Sequence, residues 1–131
     1  MHWARRNLDP VGGHVVQGDL FEALPTSLLG RFNVIAANAP YVPTADIDLL
    51  PREARQFEPR AALDGGEDGL DLHRRICAEA VPWLAPGGYL LIETSTRQAV
   101  ATAALMLAAG LRTRVVRSGR LEATVAIGSG C

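Results

Sequence analysis

The feature that most constrains this chain is the apolar run Phe32-Asn33-Val34-Ile35-Ala36-Ala37, which stops abruptly at Asn38-Ala39-Pro40-Tyr41. Six such residues are too few for a helix, and they read as a strand covered on both faces of a parallel sheet. Residues 1–8 read as the end of a helix. A short strand is expected over 14–17, closed by Gly18-Asp19, and a helical turn over 20–24 that Pro25 cuts. After Tyr41 come about 27 residues with little periodicity, long enough for a functional loop. The spacing then predicts a helix over 69–81, with Asp68 as N-cap and Leu72, Ile76 and Ala80 on one face, ended by Pro82. Pro86-Gly87-Gly88 leads into a strand over 89–92 that ends at Glu93. An alanine-rich helix follows over 99–109 with Gly110 as C-cap, and two strands flank Ser118-Gly119-Arg120 as a hairpin. This order predicts an open α/β sheet, mostly parallel, with an antiparallel C-terminal hairpin.

Ligands of open α/β sheets bind beyond the C-terminal ends of the strands, where Asp19, Asn38 and Glu93 are expected. An Asn side-chain oxygen can accept a hydrogen bond from a substrate NH₂ group, and the Ala39 carbonyl can accept the second proton. That arrangement leaves the nitrogen lone pair free to meet an electrophilic methyl group. Tyr41 could lie against a planar substrate and favour the positive charge that develops there. On the tetrapeptide alone, the plainer reading is at least as good: a strand-end Asn capping a turn, with Pro40 and Tyr41 as loop packing. Asp19 can equally be a turn residue after Gly18. Glu93 is expected to be structural, His73 a solvated helix residue, and Cys77 a small core residue.

Composition removes several function classes. Thirteen basic against fourteen acidic residues leave a net charge of −1, which counts against a nucleic-acid partner. The three histidines and two cysteines are not at metal-ligand spacing, and no disulfide framework is available. No apolar run reaches the roughly 20 residues of a membrane span, and no signal peptide is legible. The expected setting is the cytoplasm.

Two stretches resemble a known family. Asn38-Ala39-Pro40-Tyr41 is similar to the Asn-Pro-Pro-Tyr motif of amino-methyltransferases, and residues 58–71 (Glu-Pro-Arg-Ala-Ala-Leu-Asp-Gly-Gly-Glu-Asp-Gly-Leu-Asp) closely resemble a signature of one branch. That branch is the protein-(glutamine-N5) methyltransferases of the HemK type, which modify peptide-chain release factors. Gly18-Asp19-Leu20-Phe21 and Leu84-Ala85-Pro86-Gly87-Gly88 add to the likeness, which runs over essentially the whole chain. The resemblance implies a partial Rossmann-like class I fold and S-adenosylmethionine as methyl donor. It implies a release factor as protein substrate. Carried over, Asn38 and Tyr41 would be catalytic, and Asn38, Ala39, Pro40, Tyr41, Glu58 and Pro59 would face the substrate. Asp19, Leu20 and Asn38 would face the cofactor.

The pattern departs from the family in two places. Ala39 stands where the family has proline, which removes a stiffening ring but keeps the acceptor carbonyl. No Gly-rich turn opens a helix upstream, and Gly12-Gly13 precedes a strand instead. The expectation is therefore a single, N-terminally truncated catalytic domain over 1–131, lacking the first two strands and the cofactor turn. Weak or no cofactor binding follows from it. The strand over 32–37 would have an open edge, mended either by the strand over 14–17 or by a homodimer. Two other readings stand beside this one: an adenine-N6 methyltransferase acting on nucleic acid, and a non-catalytic remnant serving as an interaction module.

Overall fold

A computed structural model describes residues 1–130. Its centre is the strand β2 (Leu84–Thr94), flanked by β1 (Phe32–Ala37) on one side and β4 (Ala123–Ser129) on the other, with β3 (Arg112–Ser118) outermost. β1 runs parallel to β2, with Ile35 opposite Leu90 and Ala37 opposite Ile92. β4 is antiparallel to both β2 and β3, so the terminal hairpin is as expected. Among the described strands, one pair is parallel and two are antiparallel. The parallel character expected of the sheet thus rests on the β1–β2 pair.

Side chains alternate along β2, so Leu90, Ile92 and Thr94 all point to one face and are buried there. Two helices cover that face. α3 (Asp71–Ala80) buries His73, Ile76, Cys77 and Ala80, a stripe at helical spacing. α4 (Ala99–Ala108) buries Ala99, Thr102 and Met106. The core joins Ile76, Cys77 and Ala80 of α3 to Leu90, Ile92, Met106 and Ala126, with Ile35 and Ala37 of β1 packed at its margin.

The opposite face is far more open. Val34 is 56% exposed and Tyr89 45% exposed. The expectation that β1 is covered on both faces therefore fails among the described residues, because the helices that pack on the sheet, α3 and α4, share the Leu90–Ile92 side. The strand expected over 14–17 is also absent: those residues join no ladder, and β1 pairs with β2 alone. A four-residue strand has too few bonds to hold without a partner. The N-terminal helix α1 (His2–Leu8) forms as expected but buries no residue.

β2 begins at Leu84, five residues before the expected start, because Leu84 already faces Phe32 across a register shift. Gly88 makes that approach feasible, since a Cβ there would lie 2.9 Å from the Phe32 carbonyl oxygen. The stretch after Tyr41 is built of short turns, with 3₁₀ segments over Thr44–Leu49 and Arg60–Ala62 around the helix α2 (Arg52–Phe57). α3 starts two residues later than expected, with Leu70 as N-cap; the Asp68 carboxylate instead accepts the Leu70 N–H at 3.0 Å. Among the described residues, no helix is long and apolar enough to cross a membrane.

Candidate active site

The candidate site forms where β1 ends. Asn38 is exposed directly beyond the strand, and Ala39 turns its methyl group into the core. Pro40 and Tyr41 are half-buried. From Val42 onward the loop is zipped to the second half of the 58–71 stretch. Val42 N–H donates to the Leu63 carbonyl at 3.2 Å, and Gly65 N–H donates to the Val42 carbonyl at 2.8 Å. Thr44 N–H donates to the Gly66 carbonyl at 2.8 Å, and the Thr44 hydroxyl donates to Asp64 at 2.7 Å. The Thr44 hydroxyl, followed by the Gly66 N–H, holds the Asp64 carboxyl below its ordinary range. Two segments singled out separately in the sequence are thus one structural unit.

A cleft of about 450 Å³ opens against this unit, walled by Tyr41, Val42, Leu50, Asp68, Arg97 and Gln98 among others. Burial, and then the Glu93 carboxylate, push the Tyr41 phenol above its ordinary pKa, so the group is a neutral hydroxyl at physiological pH. Asn38, Ala39 and Pro40 are not in the cleft wall, and neither are the exposed Glu58 and Pro59. Asp19 lies elsewhere, with both carboxylate oxygens on the Arg75 guanidinium at 3.0 and 3.1 Å. Leu20 is half-buried against the core with a φ of 48°.

His73 is not the solvated residue expected. It is fully buried, its Nδ1 lies 3.1 Å from the Thr102 hydroxyl, and that hydroxyl lies 3.3 Å from Thr94 Oγ1. Its ring sits 6.4 Å from the Tyr41 ring, beneath the candidate motif. The signal was available in the sequence, because 73, 76, 77 and 80 share one helical stripe. The neighbouring Arg74 and Arg75 lie at the helix surface and form ion pairs there. Cys77 is buried as expected, and burial pushes its thiol up to about 11, which leaves it unreactive. Gln98 was not singled out, and no spacing marks it.

Burial depresses the His73 imidazole below the ordinary value of 6.5. The unfolded chain therefore takes up this proton more readily than the folded one. Stability from His73 is complete above about pH 6.5 and is lost as pH falls from there toward the lower folded value. Thermal unfolding midpoints measured between about pH 7.5 and 5.5 should drop more steeply in the wild type than in His73→Gln. Equal slopes would remove His73 as the cause.

No family model matches the chain. It is 48% identical over 98 residues to a release factor glutamine methyltransferase of Geobacter sulfurreducens, an alignment covering 73% of this chain and 34% of that protein. It is 49% identical over 77 residues to the ribosomal protein uL3 glutamine methyltransferase of Bordetella pertussis, covering 59% of this chain and 24% of the relative. The likeness is to the C-terminal part of the release factor glutamine methyltransferases. The chain spans about a third of the length of the curated relatives it matches. A methyltransferase of Pyrococcus furiosus superimposes with a TM-score of 0.67 at 18% identity, covering 99% of this chain and 57% of the other. That agreement shows part of a class I methyltransferase fold.

Proposed function

We propose that this chain is the acceptor-side part of a protein-(glutamine-N5) methyltransferase, with a peptide-chain release factor as substrate. The observation that supports the reading is that Val42 and Thr44, directly after the Asn38–Tyr41 motif, are hydrogen-bonded to the 63–66 segment beside a cleft walled by Tyr41, Val42 and Asp68. The name of the Geobacter relative supports it, since the likeness lies in the C-terminal part of such proteins.

The exposed Asn38 amide oxygen and the Ala39 carbonyl would accept the two protons of a glutamine side-chain NH₂. Positioning would then be the main contribution: the two acceptors hold the amide nitrogen in line with the methyl donor, and as the nitrogen is alkylated one of its two protons would pass to solvent, so no strong base is needed. Tyr41, held neutral, offers a ring face to the planar amide without a competing charge. Glu58 and Pro59 are proposed to contact the protein substrate outside the cleft, as their exposure allows.

S-adenosylmethionine supplies the methyl group in this chemistry. The residues of this chain do not by themselves fit it. Asp19 is satisfied by Arg75, and neither the cleft nor a depression of about 250 Å³ beside Tyr89 is lined by Asp19, Leu20 or Asn38. We therefore propose that most donor contacts come from the part of the relatives that this chain does not span. The cytoplasm is the proposed setting.

The test joins this chain to the N-terminal part of the Geobacter enzyme and supplies S-adenosylmethionine with a release factor. Mass spectrometry should find one added methyl on a glutamine side chain. Methylation of adenine in DNA or RNA instead, with the release factor untouched, would overturn the reading. The Bordetella relative makes a ribosomal protein the second substrate to try.

We also propose that two chains pair through β1. Its outer edge has no partner among the described residues, it carries no charged residue, and the exposed Val34 lies on it. Light scattering after size exclusion should give about twice the chain mass of 14.0 kDa. A monomer that stays soluble at high concentration would exclude the pairing.

A further inference from the structure

Three loops meet at one side chain. Gln98 lies between β2 and α4, yet its Nε2 donates to the Tyr41 carbonyl at 2.9 Å and to the Asp68 carbonyl at 2.9 Å. Both amide protons are thereby used. The Ser95 hydroxyl donates to Oε1 at 2.7 Å and orients the group from behind. The opposite amide orientation would set Oε1 against two carbonyl oxygens, so the pattern has one solution.

Space at the junction is as constrained as the bonding. Gly69 passes through it with a φ of 80°, and a Cβ there would overlap both the Gln98 amide nitrogen and the Tyr41 carbonyl oxygen. The loops touch because position 69 carries no side chain and Gln98 supplies the protons that two facing carbonyls lack.

We propose that Gln98 is a positioning residue: its amide ties the Asn38–Tyr41 loop to the 58–71 loop and so fixes the wall of the cleft. Its consequence for methyl transfer rests on the function proposed above, whereas the tie itself does not. Gln98 touches no substrate in this scheme. It acts by holding the Tyr41 carbonyl, and with it the ring that lies near His73.

Gln98→Glu keeps the shape and removes both donors, placing a carboxylate against two carbonyl oxygens. In this chain, without cofactor or substrate, amide exchange at Val42, Thr44 and Gly65 should accelerate about tenfold or more, the signature of a lost local bond. Exchange at Leu90–Ile92 and Val125–Ile127 should stay unchanged. The proton contacts between the Tyr41 and His73 rings seen by NMR should weaken, which a general loss of stability would not produce selectively. Ser95→Ala leaves the donors and removes the hydroxyl that orients them, which also accepts the Gln98 N–H at 3.2 Å. It should accelerate the same three amides to a smaller extent, and it carries the test if Gln98→Glu does not fold. Uniform acceleration across the sheet in either folded variant, or unchanged exchange at the three amides, would overturn the proposal. Failure of methylation with the tie intact would instead count against the proposed function.

Discussion

Asn38→Ala, in this chain joined to the N-terminal part of its Geobacter relative, should lower turnover on a release factor by roughly 10²-fold or more. The reasoning is geometric. Asn38 stands exposed at the end of β1 with its side chain free to accept a substrate proton. The Ala39 carbonyl would hold the other proton, but it belongs to a backbone whose position the buried Ala39 methyl secures. Removing Asn38 therefore leaves a substrate amide held at one proton and free to rotate out of line. The loss should fall mainly on kcat, because precise placement matters more in the transition state than in the bound ground state. Ala39→Pro should be tolerated, since the carbonyl remains and the Ala39 N–H has no place in the acceptor scheme. An undiminished rate in Asn38→Ala would reject the assignment of Asn38.

S-adenosylmethionine should bind the chain on its own with a dissociation constant near millimolar or weaker, about a thousandfold short of micromolar and some 4 kcal/mol less favourable. Of the three residues assigned to the cofactor side, Asp19 is already engaged by Arg75, Leu20 is packed against the core, and Asn38 is exposed on its own. A nucleoside would have to displace the Arg75 pair and would still find no enclosing wall at those residues. Isothermal titration is the measurement. Micromolar binding would show that the chain holds more of the donor site than these contacts suggest.

Local sequence determined those parts of the fold that depend on neighbours along the chain. The apolar run over 32–37, the alanine-rich run before Gly110 and the turn at 118–120 each carry enough periodicity or turn chemistry to name their element. Asn38 at a strand end needed no more than that. What failed were statements about partners. Residues 14–17 look like a strand, but a strand exists only against another strand. β1 looks like a two-sided core strand, but its cover depends on which side the helices take, and α3 and α4 take the same side. His73 carried a helical spacing that placed it inside, and two adjacent arginines that argued otherwise. The core decided, because the Thr102 hydroxyl 29 residues away offers the imidazole a bond that solvent would otherwise have to supply. Gln98 shows the limit most plainly. The two carbonyls its amide donates to lie 57 and 30 residues away, and nothing near it in the chain announces them. A sequence specifies which groups can donate and accept; only the tertiary structure brings two unpaired carbonyls within reach of one amide.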